Sequence, residues 1–374
     1  MTSASPALQR ILAHLAELIA CDSQNPPRRI TADSAMFEYA RKMLSDGFEV
    51  ETADHGDGHV TLYAVRGKPG LVFNCHLDTV PAGDGWRVPP FELTVDDGRA
   101  WGRGACDIKG AAAVLLAVAE TTDAPLALLF TSDEEGAGGC CVREFLATDT
   151  ASVYRFAVVC EPTGNRAVLS HRGFLSVKGA FRGRGGHSSE PRALADSAIH
   201  AAGRWIHAAT EYCRAEAAAG RQTCFNVGLI DGGLKSNVIA DTCRLHYSAR
   251  LAPGGDNDAL LAALSPLSGA DSRADWQVPF SGPPLPAAGR SADPARTFAA
   301  GHGLEVTESV DFWTEASLFS AAGMEAIVLG PGHIGQAHTV DEWVSLEQLE
   351  QAEVRYRRIV ETGAVEAGAR EARR

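Results

Sequence analysis

Four short apolar runs, far apart in the chain, each lead into a residue that can bind a metal ion. Leu71-Val72-Phe73-Asn74-Cys75 leads into His76, and Leu126-Ala127-Leu128-Leu129-Phe130 into the pair Glu134-Glu135. Phe156-Ala157-Val158-Val159-Cys160 leads into Glu161, and Ala326-Ile327-Val328-Leu329 into a Gly-rich loop that reaches His338. Continuous apolar runs of this length read as buried strands of a parallel sheet, because a strand covered on both faces has no polar side to show. Open α/β sheets gather their ligands just beyond the carboxyl ends of such strands. One strand ending in a His means nothing. Several together, with a carboxylate-bearing turn at Asp107, predict a metal site.

With 374 residues the chain exceeds what one core usually supports, so two domains are expected. The formal net charge of −13 argues against nucleic acid or an anionic membrane as partner, since both select basic surfaces. Leu8, Ile11, Leu12, Leu15, Leu18 and Ile19 have helical spacing, so the N-terminal segment reads as an amphipathic helix rather than a leader. No apolar stretch approaches the roughly 20 residues that cross a bilayer. The 9 cysteines are odd in number and scattered, with no C-x-x-C pair. They suit a reduced cytoplasm better than a disulfide framework, and Cys140-Cys141 read as structural.

The first stretch, to about residue 170, alternates strand-like and helix-like segments, with an Ala-rich helix from about Ala111 to Glu120. The texture then changes. Phe174 to Phe181 reads as an exposed-edge strand, Ala193 to Cys213 as a helix, and Cys224 to Ile230 and Cys243 to Leu251 as half-buried antiparallel strands. Asp258 to Leu267 reads as a second helix and Trp276 to Phe280 as a last strand, which together make the split βαβ pattern. Ser281 to Pro286 looks like a return linker, and Leu346, Leu349, Ala352, Tyr356 and Ile359 mark the apolar face of a closing helix. The expected fold class is α/β. A catalytic domain of residues 1–172 and 283–374, with a mixed, mostly parallel sheet flanked by helices, would carry an inserted α+β, ferredoxin-like domain of residues 173–282.

His76-Leu77-Asp78 pairs an imidazole with a carboxylate that could hold its second ring nitrogen, though alone it reads as readily as a loop His beside a capping Asp. Asp107 follows a Gly-rich turn and precedes a helix. Its two oxygens could bridge two cations about 3.5–4 Å apart, or it could cap that helix. Glu134-Glu135 is the strongest local signal. Adjacent carboxylates at a buried strand end repel, so without cations one must protonate or turn to solvent. Neighbouring side chains point apart, so one of the two can bind metal while the other serves a water as general base; a solvated acidic loop is the alternative. Between Gly330 and His338, His333 competes with His338, which is preferred because Asp341-Glu342 follow it as possible acceptors. The residues for zincin, nucleophile-elbow or P-loop chemistry are missing: Gly67-Lys68, for instance, is followed by Pro69.

His76-Leu77-Asp78-Thr79-Val80, Gly104 to Gly110, Asp133-Glu134-Glu135, Glu161-Pro162-Thr163, Arg184 to Ser189 and Gly330 to His338 occur in that order. Together they resemble the di-zinc amidohydrolases that include acetylornithine deacetylase, succinyl-diaminopimelate desuccinylase, the aminoacylases and glutamate carboxypeptidases. Asp311-Phe312-Trp313-Thr314-Glu315-Ala316-Ser317-Leu318-Phe319 looks most like the acetylornithine deacetylase branch, and within it the acetylcitrulline deacetylases. The resemblance implies two zinc ions per subunit, which cobalt can replace. One would take His76 and Glu161 and the other Glu135 and His338, with Asp107 bridging. Glu134 would be the general base and Asp78 the orienter of His76, and the Asp107-Ile108 peptide would be cis. It further implies that His187 reaches a neighbouring subunit's site, that the inserted domain is lid and dimerisation surface, and that Asn237, Arg250 and Lys235 meet the substrate carboxylate. For Lys235 a plain surface role is an equal reading.

The implied reaction is hydrolysis of the amide bond of N-acetylcitrulline or N-acetylornithine in arginine biosynthesis, by a cytoplasmic homodimer acting on a small N-acyl amino acid. Glu315 could accept the δ-ammonium of ornithine or the ureido N–H groups of citrulline, and the sequence does not choose. Competing readings are desuccinylation of an N-succinyl diamino acid, a metallo-carboxypeptidase or dipeptidase, and a non-catalytic zinc-stabilised binding protein. The presence of Glu134 weighs against the last.

Overall fold

The computed structural model describes residues 4–27, 29–136, 139–268 and 273–371. The chain divides into two compact units: Met1–Leu169 with Ser291–Ser309 and Thr314–Arg374, and Ser170–Arg290 with Val310–Trp313.

In the first unit, α1 (Pro6–Ala20) starts where the Ser5 side chain accepts the Leu8 N–H, a cap worth about 1 kcal/mol. Its buried Leu8, Ile11, Leu15, Leu18 and Ile19 recur at three and four residues, as one helix face requires. Then follow α2 (Ala35–Met43), β1 (Glu49–Asp54), β2 (Val60–Arg66), β3 (Leu71–His76), β4 (Thr94–Asp96) and β5 (Arg99–Trp101). Helix α3 (Lys109–Thr121) is buried all round from Lys109 to Ala119, which its alanines permit by letting neighbours approach closely. After it come β6 (Leu126–Thr131), α4 (Cys140–Leu146) and β7 (Phe156–Val159).

The second unit runs β8 (Gly173–Arg182), β9 (Gly186–His187), α5 (Ala193–Asp196), α6 (Ala198–Ala218), β10 (Cys224–Gly232), β11 (Val238–Ile239), β12 (Thr242–Leu251), α7 (Asn257–Leu264) and β13 (Arg273–Gly282). Its four-stranded antiparallel sheet has the order β10-β12-β8-β13, the ferredoxin-like topology. One core joins Trp205 and Ala202 of α6 to Val177, Phe181 and Tyr247 of the sheet. Phe174–Phe181 is not the edge strand its pattern suggested. β8 lies between β12 and β13, and the edges are β10 and β13. Alternation reports which sheet face meets water, whereas an edge is a matter of unpaired backbone groups, which side chains do not encode. The single helix expected over Ala193–Cys213 breaks at Ser197, whose backbone is extended.

The chain returns through α8 (Asp293–Gly301), α9 (Ala316–Ala321), β14 (Glu325–Val328), β15 (Trp343–Ser345) and α10 (Leu346–Glu371). The large sheet has the order β1-β2-β6-β3-β7-β14. Its strands β6, β3, β7 and β14 are mutually parallel, so the four apolar runs of the sequence stand side by side and end on one edge. Every residue of β3, β6 and β7 is buried. Each Leu, Val or Phe so covered contributes about 1.5–3 kcal/mol. Among the described residues no helix is long and apolar enough to cross a membrane.

Candidate metal centre

The ends of β3, β6, β7 and β14 deliver the expected ligands to one place. His76 closes β3, paired in register with Thr131 of β6. Its Nε2 lies 3.1 Å from Asp107 Oδ1 and 3.8 Å from Glu161 Oε1. His338 Nε2 lies 3.0 Å from Glu135 Oε1 and 3.3 Å from Asp107 Oδ2. Asp107 therefore turns one oxygen to the His76–Glu161 pair and the other to the Glu135–His338 pair. Glu134, His76 and Glu135 also bring donor atoms within 4.8 Å of one another. The Asp107-Ile108 peptide is cis.

The electrostatics of this cluster ask for cations. Burial pushes the Glu134 carboxyl well above the usual range, and the neighbouring Glu135 charge adds to it. Glu161 is pushed up by burial and by Asp107, and Glu135 by burial despite its contact with His338. Burial opposes charging of His76, yet hydrogen bonds to Asp107 and Asp78 outweigh it and raise the ring well above its ordinary value. His338 is raised to about 10 by its hydrogen bonds to Asp107 and Glu135. Burial pulls Asp107 upward, but the two imidazoles win and hold it below the usual carboxylate range. Protons here fill a cation's role. Imidazole nitrogen and carboxylate oxygen are donors that zinc takes, and cobalt accepts the same set. The donors present fit two divalent ions sharing Asp107.

The loop that carries Glu134 is pinned on both flanks. Asp78 Oδ2 accepts from Asn25 Nδ2 at 3.0 Å and from the Glu135 N–H at 3.1 Å. His76 Nδ1 lies 3.0 Å from the Asp78 backbone oxygen and 3.5 Å from its carboxylate, so the backbone carbonyl is the closer partner of the ring. On the other flank Asp133 Oδ2 accepts the Cys140 and Cys141 N–H groups at 2.7 and 3.1 Å and meets His59 Nδ1 at 2.8 Å. His59, Asp133 and Cys141 also converge closely enough to suggest a metal group. Asp133 is already committed to the start of α4, so this cluster reads as structural.

Asp341 and Glu342 do not serve His338 as the sequence suggested. Asp341 accepts from the Arg87 backbone and Nε at 2.8 and 2.6 Å. Glu342 accepts from the Asp107 turn. Pairing of Trp343 in β15 with Trp101 in β5 lays the two segments side by side, so the free N–H groups of the glycine turn are the nearer donors. Gly104 permits that turn through a φ of 83°. His333 lies apart, its Nε2 3.0 Å from Gln348 Nε2. Glu315 is 1% exposed, with its carboxylate 3.4 Å from Thr131 Oγ1. Burial and Asp133 raise it to about 8. It offers no open face to a ligand in this structure.

In the second unit, β9 pairs with β11, His187 opposite Val238, and the Ser188 N–H donates to Asn237 O. His187, Asn237 and exposed Lys235 are thus close neighbours. The Ser189 N–H donates to His187 Nδ1 at 3.3 Å, so a neutral ring carries its proton on Nε2. Arg250 stands elsewhere, near the far end of β12, about 27 Å of strand from Thr242. Its guanidinium lies 3.8 Å over the Phe174 ring and makes no side-chain hydrogen bond among the described residues.

The sequence profile of Peptidase family M20/M25/M40 matches residues 72–362. The chain belongs to that family. An N-acetyl-L-citrulline deacetylase of Xanthomonas campestris pv. campestris is 44% identical over 353 residues, 92% of this chain and 95% of that protein. An acetylornithine deacetylase of Myxococcus xanthus is 32% identical over 94% of this chain and 96% of that protein. The aminopeptidase PepT of Bacillus cereus shares the fold with a TM-score of 0.71, at 20% identity, over 96% of this chain and 99% of that one.

Some residues of this M20 centre went unread in the sequence. Asn25, wholly buried, links Asp78 to the Ser132 backbone oxygen at 3.1 Å. Lys109, also buried, gives its ammonium to the Cys21 oxygen at 2.8 Å. Neither role carries a sequence signal, since the partners lie 53 to 107 residues away.

Proposed function

We propose that this M20 hydrolase is a zinc-dependent deacetylase of N-acetylated amino acids. Its substrate in this reading is N-acetylcitrulline, cleaved to acetate and citrulline for arginine biosynthesis in the cytoplasm. One observation carries the reading: Asp107 divides its oxygens between two His–Glu pairs while Glu134 stands beside both, in a chain 44% identical to a protein of that activity. Two zinc ions held by His76–Glu161 and Glu135–His338, sharing Asp107, would acidify a water and polarise the acyl carbonyl. Glu134 takes the proton of the attacking water and passes it to the leaving nitrogen, which otherwise departs as an unstable amide anion. Asp78 and Asp133 keep Glu134 in place by anchoring the residues on either side of it.

The second unit serves in this reading as lid and dimerisation surface. His187 donates from Nε2 to the oxyanion, Asn237 and Arg250 hold the substrate carboxylate, and Lys235 adds positive charge nearby. No single copy can bring both His187 and Arg250 onto one small molecule when most of β12 separates them. A second copy supplies what the first cannot. The exposed Leu229 and Ile230 on the edge strand β10 suit the same homodimer. Glu315 acts from beneath the sheet ends, through Thr131 and the neighbourhood of His76, rather than as a solvent-facing contact.

N-acetylornithine is the second reading, favoured by the Myxococcus relative. Steady-state kinetics on both compounds decide: kcat/KM for N-acetylcitrulline should exceed that for N-acetylornithine by about tenfold or more, the scale of about 1–3 kcal/mol for one buried polar group left unpaired. The reverse order moves the substrate to ornithine. Cleavage of an N-succinyl diamino acid or a dipeptide with neither acetyl compound turned over would sink the deacetylase reading.

A further inference from the structure

Arg103 and Glu342 form a buried ion pair at 2.7 Å, 2% and 1% exposed. Such a pair gains little stability by itself, because removing both charges from water offsets their attraction. Its value lies in where the remaining donors and acceptors go. Glu342 accepts the N–H groups of Gly104 at 3.0 Å, Cys106 at 2.8 Å and Asp107 at 2.9 Å. Its backbone oxygen takes the Gly102 N–H at 3.0 Å. Arg103 donates to the Pro81 and Ala82 oxygens at 3.2 Å each. The pair therefore touches the segment that follows His76, the turn that presents Asp107, and the segment four residues beyond His338.

The two proposed ion positions differ in how much they need such a tie. His76 and Glu161 sit at the ends of adjacent strands, whose ladder already fixes Phe73 against Val158 and Asn74 against Val159. His338 comes from a loop, its side chain 52% exposed and its backbone left-handed at φ 60°. Asp107 also comes from a turn. Among the described contacts, the Glu342 carboxylate joins that turn to the His338 segment directly.

We propose that Arg103 and Glu342 are positioning residues that fix Asp107 relative to His338 and thereby set the affinity for the ion on the His338 side. This rests on the two-ion reading above and assigns unequal sensitivity to the two ions.

The test is metal titration of the metal-free full chain with Zn2+ and Co2+, following Co2+ absorption and bound-metal stoichiometry. No substrate is involved. Glu342→Gln keeps the volume but turns an amide NH2 toward backbone N–H groups. It should weaken one ion about 10–100-fold, the usual cost of losing a ligand's supporting partner, and leave the other within about threefold. The weakened ion must be the one that His338→Ala removes. Arg103→Met, which leaves Glu342 in place, should act in the same direction and more weakly, and decides the matter if Glu342→Gln does not fold. A lower melting temperature with both affinities unchanged makes the pair merely structural and overturns the proposal, as does equal weakening of both ions. If the unaltered chain binds a single ion, the two-ion reading itself fails, and that result is visible before any variant is made.

Discussion

His76, Asp107 and Glu161 are buried and within hydrogen-bonding or near-bonding distance of one another, whereas His187, Lys235 and Asn237 stand exposed on the inserted unit. A buried cluster of like charges is costly to fold, and the raised proton affinities of Glu134 and Glu161 show how the metal-free chain relieves it. In our reading that cost goes into geometry: the proposed ligands wait in place for ions to replace the protons. Exposed polar residues cost almost nothing while idle, and they do no work until something reaches them. The first unit is thus prepared for chemistry in isolation, while the second depends on a substrate and, in our reading, on another copy of the chain.

The largest effect that could break this contrast comes from Glu134→Gln. If Glu134 moves protons and holds no ion, kcat should fall about 10²–10⁴-fold with two ions still bound. Loss of one ion together with activity would make Glu134 a ligand and leave the buried unit without a base. Metal analysis on the same sample separates the two outcomes.

A middle-sized effect probes the exposed unit. His187→Ala should lower kcat about 10²–10³-fold, as for removal of an oxyanion donor, and Arg250→Ala should raise KM about 10–100-fold. Co-expressed in equal amounts, the two variants should recover about a quarter of normal activity. Half of the dimers would be mixed, and each mixed dimer would hold one site with its own Arg250 and the partner's intact His187. No recovery would place both residues in the site of a single copy, against their separation along β12.

The same contrast explains what could be read from the sequence. The strands β3, β6, β7 and β14 were legible because continuous burial leaves them mostly apolar, and a polar residue at or just after the end of such a run has few reasons to be there. The inserted unit was legible as an element order, but not in the lateral place of β8, since edges are set by backbone pairing. Glu342 was noticed for the wrong partner. Its true donors are backbone N–H groups 235 to 238 residues earlier, and a backbone group has no letter in the sequence. Glu315 shows the other limit: a motif can mark a residue as important without saying which side of a sheet end it occupies.

The smallest effect is a slope. Glu315, raised to about 8 by burial and Asp133, keeps in the folded chain a proton that the unfolded chain loses near pH 4.3. Its contribution to stability is complete below that value and is lost as pH rises toward 8. Glu134 and Glu161 act in the same direction for the same reason. His338 contributes fully below 6.5 and loses its share as pH climbs toward about 10, discounted because half the ring meets solvent. Asp107, held low, is already ionised in both states and adds no slope between pH 5 and 8. The metal-free protein should therefore melt at progressively lower temperature from pH 5 to pH 8. Zinc must displace the protons of the ligands Glu161 and His338, so its binding strengthens as pH rises and the loaded protein should show a shallower or opposite slope. Thermal unfolding at pH 5, 6.5 and 8, with and without zinc, reads the difference. Identical slopes in the two forms would mean that the titrating groups are not the ligands, and the buried cluster would lose its claim to be a site prepared for ions.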